Sequence, residues 1–341
     1  MKALVVVAAA ALLAFANAPD RASADTHDFY KGKRIRLIVG LAPGGGFDLY
    51  ARTVARHLTK HVPGNPNVIV QNMPGAAGTV AANYVYNMGE PDVTILHFGG
   101  TQILNHVLGD SATKFDGRKF GYLGAPTANS VICFVRDGTG IRTMEQWMAS
   151  KQPVILGGVG RGSPTDDIPR FFQETIGLPI KVVSGYGGTS QVRAAVERGE
   201  VSGGCWDWGS LRITSREDFE SGKFIPLVHA TTERHRELKQ VPLAIDYAKT
   251  DEARELLTFV AHAYNTIRRI FVVPPDTSPK RLQVLQKAFI DTLNDPALRA
   301  EAERSKMQID PIDGPTMTRL IGDLYKLSPK AKATVKGIVL P

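Results

Sequence analysis

The chain has 341 residues, 43% of them hydrophobic, and a formal net charge of +8. The positive charges are dispersed, with no Lys/Arg block and no nucleic-acid motif. They read as a solvated basic surface that steers anions modestly, and no nucleic-acid partner is expected. No solenoid repeat or low-complexity segment is present, and the length suffices for two domains.

Lys2 precedes an apolar stretch from Ala3 to Phe15, followed by small-residue sites at Ala16-Asn17-Ala18 and Ala22-Ser23-Ala24. This is the pattern of a secretory signal peptide cleaved after Ala18 or Ala24, too short in its apolar core for a membrane span. The expected location is extracytoplasmic, or periplasmic in a cell with two membranes.

Apolar runs then alternate with amphipathic stretches. Ile35–Leu41 reads as a strand, Leu49–Lys60 as a helix, Asn67–Gln71 as a strand and Thr79–Met88 as a helix. Thr94–Phe98 is a strand, Gln102–Leu108 a short helix, and Tyr122–Ala125 and Val131–Val135 are strands. Thr143–Ser150 is a helix, Val154–Gly157 a strand, Asp167–Thr175 a helix, Ile180–Val183 a strand and Gln191–Arg198 a helix. Val201–Trp206 and Ile225–Ala230 are strands, Arg254–Tyr264 is a helix and Ile270–Val273 a strand. Lys280–Leu293 is a helix and Met317–Leu327 the terminal one. This alternation predicts an α/β chain with parallel or mixed sheets. Polar stretches after the strands near Ala128 and Thr231 are the candidate borders. They give a signal peptide at 1–24, domain 1 at 25–128 and 233–341, and an inserted domain 2 at 129–232, with a cleft between the domains.

Glycine or small polar residues crowd the strand-to-helix turns at Pro43–Asp48, Pro74–Thr79, Gly99–Gln102, Gly158–Thr165 and Gly185–Ser190. Glycine lets a backbone approach a ligand closely. Helix starts leave free N–H groups and a partial positive charge. Any one turn serves chain reversal equally well, but the cluster predicts a site for a small anion. Asp48 reads as an N-cap of the following helix. Thr79, Ser163, Thr165 and Ser190 cap a helix or offer a hydroxyl. Arg161 either pairs with a carboxylate or faces solvent. Trp206, Trp208 and Tyr186 line the site or belong to the core.

Other chemistry finds little support. Gly44-Gly45-Gly46 lacks G-x-G-x-x-G spacing, Gly158–Ser163 is also wrongly spaced, and no G-x-x-x-x-G-K-[ST] occurs. His57 and His61 lie four apart on one helix face, but a third ligand and H-E-x-x-H are missing, so no metal is expected. Ser163 has no assignable base and no nucleophile elbow, and Asp166-Asp167 reads as helix-start charge. No cofactor is expected. Cys133 and Cys205 sit in apolar, strand-like surroundings. An oxidising compartment permits a disulfide, but two buried thiols are the favoured reading.

Several of these motifs together resemble the extracytoplasmic solute receptors of tripartite tricarboxylate transporters, the TctC-like or Bug family. The likeness runs from about Tyr30 to Lys330. It is sharpest in Lys33–Val39 followed by Pro43–Asp48 and Ala51-Arg52, and in Val70–Thr79 with Ala81-Ala82. Gly162-Ser163-Pro164, Tyr186-Gly187-Gly188 and Gly199-Glu200-Val201 are looser matches. The resemblance implies a two-domain, periplasmic-binding-protein-like fold that closes on a small organic carboxylate. It further implies a monomer without enzyme activity that hands its ligand to membrane permease subunits. Carried over, Ala42, Pro43, Gly45, Phe47, Asp48 and the loop Gly75-Ala76-Ala77-Gly78-Thr79 would grip the carboxylate, largely through backbone. Ser163, Gly187, Thr189, Trp206 and Asp207 would select the rest of the ligand, and Arg161 and Tyr186 join them as ligand residues from the reading of their own turns. Asp166 stands where the family usually has His, and Ser202 where it usually has Asp. The family's Pro-x-Val-Pro-Thr segment is not evident around Val241-Pro242. These departures fall where selectivity would be set. The rival expectations are a secreted hydrolase using Ser163 and a ligand-responsive sensory protein.

Overall fold

The computed structural model describes residues 29–128 and 130–340. The signal-peptide segment lies outside them. Two mixed sheets organise the chain. The first contains β1 (Arg34–Val39), β2 (Asn67–Asn72), β3 (Thr94–Gly99), β4 (Gly121–Ala125), β10 (Arg269–Val273) and β11 (Ile312–Asp313), in the order β11-β4-β10-β3-β1-β2. The second contains β5 (Val131–Arg136), β6 (Val154–Gly157), β7 (Ile180–Val183), β8 (Gly203–Asp207) and β9 (Phe224–His229), in the order β7-β6-β8-β5-β9. β1 pairs in parallel with β2 and β3, and β6 with β7 and β8. β10 and β5 run antiparallel to both of their neighbours. The alternating apolar runs therefore fold as the expected α/β architecture. Strands β3 and β10 are buried at every position, as continuous apolar strands covered on both faces should be.

The helices are α1 (Gly46–Leu58), α2 (Thr79–Met88), α3 (Thr101–Val107), α4 (Met144–Met148), α5 (Pro164–Ile176), α6 (Thr189–Glu197) and α7 (Trp208–Thr214). They continue with α8 (Arg216–Glu220), α9 (Asp251–Thr266), α10 (Pro279–Asn294), α11 (Pro296–Arg304), α12 (Gly314–Tyr325) and α13 (Pro329–Val339). The segment at 314–325 is thus not the terminal helix. α7, α8, α11 and α13 are additions to the sequence reading. α1 starts three residues earlier than expected, and this corrects the role of Asp48. Gly45 is the N-cap, and Asp48 lies inside the first turn. From there its carboxylate reaches back to the Gly44 N–H at 3.0 Å.

α9 and α13 both pack against α5. Leu257, Val260 and Tyr264 of α9 and Val335 and Val339 of α13 join the apolar cluster beneath the second sheet. The segment after residue 232 therefore serves both sheets. A further cluster runs through both halves, joining Val39, Leu41, Phe47 and Ala77 to Val159, Val192, Trp206 and Trp208. The cysteines are a second correction. Cys133 on β5 lies directly opposite Cys205 on β8, and the two form a disulfide. A 72-residue separation in sequence hides a juxtaposition that the strand register creates.

Candidate functional site

Parallel strands aim their carboxyl ends at one edge, so the glycine turns after β1, β3, β6 and β7 gather there. The structure joins them across the seam between the sheets. The Ala42 N–H donates to the Gly187 carbonyl at 2.9 Å. The Ser190 hydroxyl donates to the Pro43 carbonyl at 2.9 Å. Gln102 donates through Nε2 to the Arg161 carbonyl at 3.0 Å and the Ala77 carbonyl at 3.2 Å, while Thr79 donates to its Oε1 at 2.7 Å. The Thr101 hydroxyl donates to the Gly162 carbonyl.

Glycine is required at some of these approaches. A Cβ on Gly162, at φ +77°, would stand 2.4 Å from Gln102 Nε2. The loop after β2 is more unusual. Ala76 and Ala77 have φ of 44° and 53°, so two consecutive alanines occupy the left-handed region between Gly75 and Gly78. That conformation costs roughly 1–2 kcal/mol per non-glycine residue. Such strain concentrates where backbone groups must be aimed at a ligand.

A cavity of about 460 Å³ opens where this loop faces the second sheet. Gly75, Ala76 and Ala77 form one wall, with Arg161, Tyr186 and Gly187 opposite. Its size falls in the range of small-molecule sites, roughly 300–1,000 Å³. Six of the expected ligand residues thus share one cavity. Ala42, Pro43, Gly45, Gly78, Thr79, Ser163 and Thr189 lie along the same seam without lining it. Phe47, Trp206 and Asp207 are packed. Phe47 lies 4.8 Å from the His97 ring, and Trp206 meets Phe134 edge-on at 4.9 Å. Asp207 caps α7 and pairs with Arg269.

The carboxylates here organise backbone. Burial tends to raise the pKa of Asp48, but hydrogen bonds from Arg52, Gly44 and Asn72 prevail and lower it. It therefore stays ionised and fixes the first turn of α1. Asp166 is buried and accepts from the Gly160 N–H at 2.7 Å, from Thr165 at 2.9 Å and from Ser184. It thereby shapes the Gly158–Ser163 turn. Asp167 accepts from the Gly162 N–H at 2.9 Å and from Tyr264 at 2.6 Å. With the Thr165 proton given to Asp166, the Ser163 hydroxyl donates to Thr165 Oγ1 at 2.8 Å. His57 and His61 do separate work: His57 contacts Glu301 at 2.9 Å and His61 contacts Asp295 at 2.6 Å, which ties α1 and the turn after it to α11 and its N-cap.

Asp167 gives a pH prediction. Burial raises its pKa to about 7, against the help of Tyr264 and with the repulsion of Asp166. The folded state then binds more protons than the unfolded one between about pH 4 and pH 7, so this group's contribution to stability falls as pH rises through that window. Asp167→Asn mimics the protonated acid. The stability of the variant relative to wild type should rise steadily from pH 4 to pH 7 in urea titrations. A difference independent of pH would show that Asp167 ionises normally.

No family model matches the chain, and no curated protein matches it in sequence. Solved structures do match. The periplasmic binding protein BugD superposes with a TM-score of 0.74 at 16% identity, over 91% of this chain and 99% of that one. MatC from Rhodopseudomonas palustris with bound malate gives 0.71 at 17% identity, over 89% and 99%. Rpa4515 from R. palustris with adipate gives 0.72 at 17% identity, over 90% and 98%. The fold is therefore that of the periplasmic solute-binding proteins.

Proposed function

We propose that the chain is an extracytoplasmic solute-binding protein that captures a small organic carboxylate between its two sheets. It catalyses no reaction and delivers the ligand to the membrane subunits of a tripartite tricarboxylate-type transporter. The observation that carries this reading is the seam itself. Glycine-rich turns from both sheets meet around a cavity of about 460 Å³ walled by strained backbone and by Arg161. Backbone N–H groups at helix starts suit a carboxylate. Structural neighbours with bound malate and adipate support that ligand class. We assign the domains as 25–128 with 233–341 and as 129–232, α9 and α13 of the return segment packing on the second. Of the expected ligand residues, Gly75, Ala76, Ala77, Arg161, Tyr186 and Gly187, which line the cavity, are the primary contacts, with Ala42, Pro43, Gly45, Gly78, Thr79, Ser163 and Thr189 along the seam beside them.

Calorimetric titration against mono- and dicarboxylic acids, with mass spectrometry of copurifying small molecules, tests the reading. Binding of a carboxylate at micromolar affinity or tighter is expected. A protein that copurifies with none and answers to none would overturn it.

Closure gives a second check. A Cβ on Gly188 would stand 3.3 Å from the Ala42 N and Cβ, across the seam. Gly188→Val overfills that contact, and overpacking costs about 1–3 kcal/mol. The cost falls on the closed state, so ligand affinity should drop roughly 10- to 100-fold while ligand-free stability changes little. An equal loss of stability without ligand would place the strain elsewhere.

A further inference from the structure

We propose that Arg268 contacts the ligand directly, its guanidinium receiving a carboxylate; this rests on the carboxylate-binding reading above. Arg268 immediately precedes β10 and is 5% exposed. The polar groups it touches lie on loops that meet at the seam, and Gly162 among them follows the cavity-lining Arg161. Arg268 donates to the Thr101 hydroxyl at 3.4 Å, the Gly162 carbonyl at 3.5 Å and the Ser163 hydroxyl at 3.4 Å. Its guanidinium carbon lies 4.9 Å from the centre of the Phe47 ring. Gly99 leaves room for it, since a Cβ there would stand 3.0 Å from Nη1.

These contacts do not compensate a buried charge. Hydrogen bonds from a guanidinium to an anion run at about 2.7–2.9 Å, and those of Arg268 are all longer. Among the described residues no carboxylate lies within ion-pair distance of it. Its neighbour Arg269 instead holds Asp207 at 3.0 Å. Asp167 accepts from the Gly162 N–H and from Tyr264 rather than from Arg268. Burial, with Arg269 beside it, lowers the Arg268 pKa to about 9, which leaves it charged at neutral pH. Asp167 and Asp207 oppose that lowering only from beyond contact distance, and a buried cation with no anion in contact is costly unless something supplies the negative charge. Its position between Thr101 of one sheet and Ser163 of the other puts that demand at the ligand seam. The planar, forked guanidinium matches a carboxylate better than it matches two hydroxyls and a carbonyl.

The test uses the full-length protein, Arg268→Gln and Arg268→Lys, each titrated calorimetrically with malate, adipate and benzoate and with the corresponding carboxamides. For the acid that wild type binds most tightly, Arg268→Gln should lose about 100-fold in affinity, with an unchanged or higher melting temperature. Arg268→Lys should lose about 10-fold. The preference for acid over amide should collapse in both variants, which a purely structural role would not produce. Affinity and acid preference within threefold of wild type, with a lower melting temperature, would make Arg268 a structural tie and overturn the proposal. If Arg268→Gln does not fold, the acid preference of Arg268→Lys decides on the same terms. Wild type that binds none of the acids overturns this proposal before any variant is made, whereas the broader carboxylate reading falls only if the wider panel also fails.

Discussion

Replacing Asp207 by alanine should destabilise the protein by about 4–6 kcal/mol, the sum of a broken buried ion pair and a lost helix cap. Asp207 and Arg269 are 6% and 2% exposed, and their charged atoms are 3.0 Å apart. The same carboxylate accepts from the Ser210 N–H at 3.1 Å, which starts α7. Arg269 lies over the Tyr50 ring at 4.5 Å and the Phe47 ring at 5.2 Å. The pair therefore clamps α1 of the first half to β8 and α7 of the second. Removing one partner of such a pair is far more damaging than the pair is favourable, because the other charge keeps its desolvation penalty. Asp207→Asn should lose less than the alanine variant, since its side chain can still cap α7. Asp207→Ala combined with Arg269→Met should recover part of the loss. Urea unfolding of the four proteins measures this. An alanine variant within 1 kcal/mol of wild type would show that the clamp contributes little. The experiment also weighs a role for Asp207 in binding, because a ligand contact would alter affinity in the asparagine variant at nearly unchanged stability.

That clamp marks where the sequence was legible and where it was not. Continuous apolar runs such as Thr94–Phe98 and Val154–Gly157 announce buried strands, and the turns after them announce helix starts; both emerge nearly in place. The loop at residues 75–78 is legible in sequence as a glycine-rich turn ahead of a helix, though its paired left-handed alanines are not. Helices α11 and α13 were overlooked although each opens on a legible signal. Asp295 and Ser328 cap them, and Pro296 and Pro329 stand at the first helical position. Arg268 and Arg269 are hard to place from sequence because the apolar run of β10 begins only at Ile270. Two adjacent arginines at the head of an apolar run were the available signal, since arginine is seldom buried without a purpose. Whether a given polar residue meets ligand or packing depends on long-range partners. Asp207, a ligand group by the family resemblance, also has a structural partner 62 residues away in Arg269, and no local pattern reveals that pair. Asp48 looked like a cap because the helix was started too late.

The disulfide is the feature least legible in sequence, and its removal should be among the most damaging changes. Cys133 and Cys205 enclose α4, β6, α5, β7 and α6, over a sequence separation of 72. In the chain-entropy account, a cross-link closing a loop of this length stabilises by roughly 4 kcal/mol, because it withholds freedom from the unfolded chain. The native state needs it less. The β5–β8 ladder continues from Val131 opposite Asp207 to Val135 opposite Gly203, on either side of the bonded pair. Cys133→Ala with Cys205→Ala should therefore keep the wild-type fold by circular dichroism and the wild-type ligand affinity, while unfolding at much lower urea. Both cysteines are fully buried, so reductant should leave the folded protein oxidised and act only once denaturant opens it. Urea curves of wild type with and without reductant should then separate, and the reduced curve should approach that of the double variant. Coincident curves for all three would mean that the bond does not form in solution or that native strain cancels its entropic gain. A double variant that folds but loses affinity would instead indicate that the cross-link holds β8 in place for the site at its carboxyl end.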